Sequence, residues 1–236
     1  MNRDADPMGR AIADYHANGV AGKLRVFSPM FEEDEIPVEV LFRKYEDMSE
    51  IEKKALDMAQ GKVLDVGAGA GCHSLVLQER DMDVTAIDIS PLSVETMRER
   101  GVEQVLEQDL FTLEGQFDTI LILMNGMGIM GTLSNMPAFF AHMDHILAQG
   151  GQLLCDSSDI SYVFEDEDGQ IEYPDTDQYY GELTYQMQYK RTKGEPFPWL
   201  YIDKDTLMEN AEACGYKVEI LAEGEHYEYL ARITKR

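Results

Sequence analysis

The sequence predicts an α/β fold built on a mostly parallel sheet with helices on both faces. From Lys62 to Asp156, short apolar runs alternate with segments of helical periodicity, and most runs are apolar at every position, as doubly covered strands must be. At the first strand-to-helix junction stands Gly67-Ala68-Gly69-Ala70-Gly71, a turn in which missing side chains let a ligand approach the backbone.

The elements follow in order. The acidic, mixed segment from Met1 to about Gln60 predicts two helices. One is Arg10–Ala17. The other is Ser49–Gln60, with Ser49 as cap, Glu52 three residues on and Gly61 as stop. Val63–Val66 reads as a buried strand, Ser74–Arg80 as helix and Asp83–Ile89 as a second strand. Ser90-Pro91 opens a helix, with proline in the favoured first position. Glu103–Leu106 and Phe117–Met124 are the third and fourth strands. Pro137–Leu147 is a helix ended by Gly150-Gly151, and Gln152–Asp156 is the fifth strand. Asp159–Glu182 then carries nine acids and no Lys or Arg, which reads as an exposed loop. Gly181–Arg191 alternates, Thr192-Lys193-Gly194 turns and Phe197–Ile202 returns, giving an inserted hairpin. A helix over Asp203–Cys214 and a closing hairpin, Val218–Ala222 with Tyr227–Thr234, complete the chain.

Composition limits the partners. The 236 residues, 44% apolar, suffice for a real core in a single domain. Twenty basic against 45 acidic residues leave a net charge of −25, which argues against nucleic acid and against an anionic membrane surface. No run approaches a membrane span, and residues 1–10 have no apolar signal core. Cys72, Cys155 and Cys214 are odd in number and far apart, fitting neither a disulfide framework nor a zinc site. The expectation is a reduced, cytoplasmic protein without a metal.

The glycine turn alone does not name a ligand. In the dinucleotide pattern, Gly67 and Gly69 fill the first two glycine places, but the third falls on Cys72. Asp88, ending the second strand, can accept from a ribose diol in nicotinamide and adenosyl-methionine sites alike. Asp109 discriminates: after the third strand its carboxylate could accept from an adenine amino group while the Leu110 N–H donates to the ring. A helix cap or turn is the other reading of Asp109.

Together, Val63–Val66, Gly67–Gly71, Asp88 and Asp109-Leu110 resemble the ordered motifs of class I S-adenosylmethionine-dependent methyltransferases. The resemblance runs from about Ser49 to Arg236, with Asp159–Ile202 as an insertion. It implies the Rossmann-like methyltransferase fold, a seven-stranded sheet with five parallel strands closed by an antiparallel hairpin. The chain would be a single methyltransferase domain: a helical N-terminal lid (1–48), a cofactor-binding core (49–158 and 203–236) and the inserted hairpin as a cap (159–202).

The resemblance also implies roles. S-adenosylmethionine would be the cofactor and S-adenosylhomocysteine the product. Asp65 would orient the glycine turn, and Gly67, Ala68 and Gly69 would line the methionine portion. Asp88 would hold the ribose, Ile89 would pack on adenine, and Asp109 and Leu110 would read its edge. Met124 and Asn125 would face the sulfonium. Asn125-Gly126-Met127-Gly128 lacks the Pro-Pro-aromatic signature of amino-group methylases of DNA bases and glutamine, which argues against that branch; the expected acceptor is a small molecule. Arg43 could pair with the cofactor carboxylate or sit as a surface arginine, and Tyr45 could cover the site. His73, Asn125 and Asp156 are the candidate catalytic residues, with Ser157, Ser158 and Asp159 as further acceptor contacts. Tyr185, Met187, Tyr189, Phe197 and Trp199 give the insertion an aromatic face that fits an acceptor cap, a homodimer contact or a satellite core. The rival functions are an NAD-dependent oxidoreductase and a non-catalytic cofactor-binding protein that kept the fold.

Overall fold

The computed structural model describes residues 1–166, 168–173 and 176–236. The chain forms two sheets. The larger is seven-stranded, in the order β11-β12-β7-β6-β3-β4-β5. Its parallel strands are β3 (Lys62–Val66), β4 (Asp83–Asp88), β5 (Gln104–Glu107), β6 (Phe117–Ile122) and β7 (Leu147–Ser158). The antiparallel hairpin β11 (Tyr216–Glu223) and β12 (Glu228–Lys235) closes it against β7. This is the α/β architecture that the apolar runs predict.

Helices cover both faces. α2 (Glu50–Met58) starts at Ser49 with a complete capping box to Glu52. α3 (Cys72–Gln78) follows the glycine turn, and α4 (Pro91–Glu99) is capped by Ser90. α5 (Met136–Ile146) and α6 (Lys204–Ala213) bury Phe139, Phe140, Met143 and Leu207 against β6, β7 and β11. Gly150-Gly151 does not end α5, as the sequence suggests. The helix stops at Ile146, and both glycines lie inside β7, where the β6–β7 register shifts between Phe117 and Thr119. A side chain on Gly151 would meet the Asp118 carbonyl at 3.0 Å, so glycine admits the close approach.

The smaller sheet is the main departure from the sequence reading. The N-terminal segment contributes α1 (Pro7–Asn18) and also two strands, β1 (Leu24–Phe27) and β2 (Asp34–Ile36). The insertion contributes β8 (Glu182–Tyr189), β9 (Thr192–Lys193) and β10 (Phe197–Leu200). Strand β1 pairs antiparallel with β8, Leu24 opposite Tyr189, so the N-terminal segment and the insertion form one sheet in the order β10-β8-β1-β2. The turn also differs. Thr192 and Lys193 already pair back onto β8, and the reversal falls at Lys190, with φ at 51°. The acidic run Asp159–Glu182 includes residues outside those described; within it, Ser161–Phe164 forms a 3-10 turn.

Tyr189 joins the two sequence-distant parts. Its ring is buried with Ala11, Leu24 and Val38. Its hydroxyl accepts the Gly22 N–H at 3.0 Å and donates to Asp14 Oδ2 at 2.8 Å. Among the described residues, no helix is long and apolar enough to cross a membrane.

Ring burial and hydroxyl bonding at Tyr189 separate in two variants. Tyr189→Ala should cost about 3–5 kcal/mol in urea unfolding, and Tyr189→Phe about 1–2 kcal/mol. Equal losses in both would contradict a ring-dominated junction.

Candidate active site

The candidate residues lie at the carboxyl ends of the parallel strands, the side on which open α/β sheets bind ligands. After β3 the chain turns through Gly67, Gly69 and Gly71, with φ of 65°, 58° and 80°, a region that side chains disfavour. The glycines differ in task. A Cβ on Gly71 would press Val102 at 2.9 Å, so that position serves packing, whereas a Cβ on Gly67 would meet nothing within 4 Å. Open space therefore stands over Gly67.

Asp88 ties this turn to the next strand exit. Its Oδ2 accepts the Gly69 N–H at 2.9 Å and its Oδ1 the Ser90 N–H at 2.8 Å. Desolvation pushes its pKa up to about 6, against these two donors. Each oxygen keeps a further lone pair for a ligand. Ile89 beside it is 46% exposed. Asp65 lies deeper, buried, accepting the Ser74 hydroxyl at 2.6 Å. Asp109 caps the 3-10 turn Leu110–Thr112, accepting the Phe111 N–H at 2.9 Å, so the cap alternative for this residue is realised. Its carboxylate is exposed, and the Leu110 N–H, first in that turn, has no partner within it.

The exit of β6 is strained. Met124 and Asn125 are consecutive non-glycine residues at φ of 67° and 57°. Asp156, only 8% exposed at the end of β7, braces them: its Oδ2 accepts the Met124 N–H at 3.1 Å and its Oδ1 the Gly126 N–H at 3.0 Å. Burial pushes the Asp156 carboxyl up to about 6. Ser157 donates to Asn125 Oδ1 at 3.2 Å and accepts the Ile202 N–H at 3.0 Å, linking the β6 exit to the cap. The Asn125 Nδ2 is buried without a partner. An unpaired amide donor costs about 1–3 kcal/mol unless a ligand accepts from it.

His73 and Arg43 converge on Glu52. His73 is 5% exposed, with Nε2 2.7 Å from Glu52 Oε1, and Arg43 pairs with the same carboxylate and with the Val40 carbonyl. Burial works against the charge on both Glu52 and His73. His73 and Arg43 nevertheless hold Glu52 down to about 2, while Cys72, Glu52 and Asp65 hold His73 well above its ordinary value. The glycine turn, Asp88, Ile89, Asp109, Leu110, Met124, Asn125 and Asp156 thus gather at adjoining strand exits. Arg43 and His73 are engaged by a buried carboxylate, and Tyr45 donates to Asp57 rather than covering the site.

The N-terminal segment packs directly on the turn. Ile12 of α1 packs with Leu41 and Ala70. Fully buried Asp6 accepts the Gly9 N–H at 2.8 Å and the Ser90 hydroxyl at 2.6 Å, clipping the starts of α1 and α4 together. Asp6, Glu52 and Ser157 as a linker are absent from the sequence reading; Glu52 was visible only as a capping residue. Among the described residues, no group of three or more His, Cys, Asp or Glu is placed to hold a metal.

A family model described as "Methyltransferase domain" matches residues 63–151, the stretch from β3 into β7. The putative methyltransferase YqeM of Bacillus subtilis is 30% identical over 117 residues, 45% of this chain and 47% of that protein, so the match spans about half of each. A solved SAM-dependent methyltransferase from Bacteroides fragilis, in complex with S-adenosyl-L-homocysteine, is 53% identical over 100% of this chain and 97% of that one, with a TM-score of 0.95. The chain belongs to the S-adenosylmethionine-dependent methyltransferases. The CcbJ methyltransferase of Streptomyces caelestis shares the methyltransferase fold at 13% identity and a TM-score of 0.63, covering 97% of this chain.

The shared Glu52 carboxylate gives a prediction for this methyltransferase. Held down to about 2 from its ordinary 4.5, it stabilises the fold above about pH 4.5, and that share is lost as pH falls towards 2. Glu52→Gln should cost about 3 kcal/mol at neutral pH, because His73 and Arg43 lose their counter-charge. Urea unfolding from pH 7 down to 2.5 should show the variant less acid-sensitive than the parent; equal profiles would contradict the role.

Proposed function

We propose that the chain transfers a methyl group from S-adenosylmethionine to a small-molecule acceptor seated between the β6 exit and the inserted sheet. The reading rests on one observation. Open space over Gly67, the Asp88 carboxylate, the Leu110 N–H and the orphaned Asn125 amide converge at neighbouring strand ends. These are complementary to an adenosyl amino acid: clearance for its chain, an acceptor for its diol, a donor for its ring and a donor near its reactive end.

In this reading Asp88 accepts from the ribose hydroxyls and Ile89 lies on the adenine. Asp109 and Leu110 take the adenine edge. Gly67, Ala68 and Gly69 line the amino-acid part, with Asp65 holding the turn from below through Ser74. Arg43 and His73, both engaged by the Glu52 carboxylate, position the turn rather than exchange protons. Asp156 is likewise a positioning residue: it is buried where Asp88 is partly open, and its oxygens accept the Met124 and Gly126 N–H groups that set the course of the β6 exit. Asn125 faces the reacting centre. When bound, the cofactor supplies a methyl group activated on a cationic sulfur. The protein's share is to hold the acceptor in line with that methyl and exclude water, which Ile12 and the lid do from above.

No observation favours a nicotinamide enzyme or a non-catalytic protein. The fold itself does not select the acceptor.

The test is release of S-adenosylhomocysteine, measured by mass spectrometry, over a panel of amines, phenols and carboxylic acids. Turnover should depend on the acceptor and fall at least about tenfold in Asp88→Ala, the loss expected when one charged hydrogen-bonding group leaves the cofactor site. Oxidation of a panel member with NAD, and no product from S-adenosylmethionine, would overturn the reading.

A further inference from the structure

The smaller sheet keeps the basic side chains of its strands on one face. Paired residues of neighbouring strands share a face, and successive residues alternate. Leu24, Val26, Leu183 and Tyr189 are buried and define the inner face, turned toward α1 and the mouth. Tyr185, opposite Phe197, and Trp199, opposite Leu183, share that face, as does Asp34, opposite Val26. Tyr201 continues it beyond β10, its hydroxyl 3.3 Å from that of Tyr185. The basic residues of these strands go the other way. Arg25 and Lys193 both stand opposite Gln188, on the outer face.

At its β8–β10 end the inner face presents a wall of four half-buried aromatic rings, and the face as a whole takes no Lys or Arg from the strands; exposed Asp34 stands at its β2 edge. The rings stand within contact range of one another: Tyr185 lies 6.4 Å from both Phe197 and Tyr201, and Phe197 lies 6.0 Å from Trp199. The wall also abuts the reacting end of the crevice. The Trp199 indole lies on the Gly128 backbone, where a Cβ would come within 2.0 Å of the ring. Tyr201 adjoins Ile202, whose N–H reaches Asn125 through Ser157.

Aromatic faces and a carboxylate attract cations. On the methyltransferase reading above, we propose that the acceptor is an amine, its nitrogen held among the rings of Tyr185, Phe197, Trp199 and Tyr201, with the Asp34 carboxylate, two strands from Tyr185 on the same face, adding a longer-range attraction. The lone pair of the neutral amine nitrogen forms the new N–C bond while the methyl–sulfur bond breaks and leaves its electrons on sulfur. Positive charge passes from sulfur to nitrogen, and the nitrogen's proton then leaves to water. The wall stabilises that charge as it arrives, which is where electrostatic assistance counts in the transition state. A phenolate or carboxylate acceptor would instead set a negative charge against Asp34, in a chain of net charge −25.

Trp199 is the single tryptophan of the chain, so its fluorescence reports on the wall directly. The probes are choline, its neutral isostere dimethylbutanol and the anionic dimethylbutanoate, each titrated into the full chain saturated with S-adenosylhomocysteine. Choline should half-saturate the response at roughly tenfold lower concentration than the alcohol, and the anion should be weakest. Asp34→Asn, an exposed position, should weaken choline roughly threefold and leave the alcohol unchanged. An equal or tighter response to the alcohol, a preference for the anion, or no response to choline would overturn the proposal. Calorimetry with S-adenosylhomocysteine alone separates the two readings. If it binds and choline has no advantage, only the amine acceptor falls; if it does not bind, the methyltransferase reading falls and takes this one with it.

Discussion

Aspartates at the strand ends hold left-handed backbone open, and the site depends on that bracing. Asp88 takes N–H groups from the glycine turn and from the start of α4, and Asp156 takes two from the Met124–Gly126 exit. Without Asp156, two adjacent non-glycine residues at positive φ would bear a cost of about 1–3 kcal/mol each with no compensating bonds. With it, the loop after β6 stays clear of the crevice and turns the Asn125 amide into a buried position where the chain gives it no partner.

A second constraint comes from the pairing of β1 with β8. It joins the N-terminal segment to the insertion in one sheet. The larger sheet carries the strand exits, and the smaller one brings the N-terminal segment and the insertion together beside them. Asp6 anchors the same N-terminal segment to Ser90, one residue from Ile89 and two from Asp88, so the position of the lid is coupled to the exit that would hold the ribose.

Much of this was legible in the sequence because the signals are local. Each parallel strand carries its own apolar run, and the starts of α2, α4 and α6 carry Ser49, Ser90 and Asp203 as caps. Gly67, Gly69, Asp88 and Asp109 could be picked out because their positions relative to strand ends are short-range facts. Strands β1 and β2 were not legible. Leu24-Arg25-Val26-Phe27 and Asp34-Glu35-Ile36 are short and charged, and the partner that makes β1 a central strand lies more than 150 residues away. Nor could sequence reveal that Glu52 serves Ser49, Arg43 and His73 at once, since those contacts exist only after α2, α3 and the lid have packed. Gly150-Gly151 misled for a related reason: a close approach inside a strand and a helix stop use the same residue.

The central claim is that one crevice, bounded by Gly67, Asp88, Leu110 and Asn125, receives the adenosyl cofactor. A crystal structure of the chain with S-adenosylhomocysteine tests it most directly. The account predicts ribose hydroxyls within hydrogen-bond distance of Asp88, adenine on Ile89 with its edge at Asp109 and Leu110, and the sulfur facing Asn125. Density for the ligand elsewhere, or a ribose that does not touch Asp88, would contradict it.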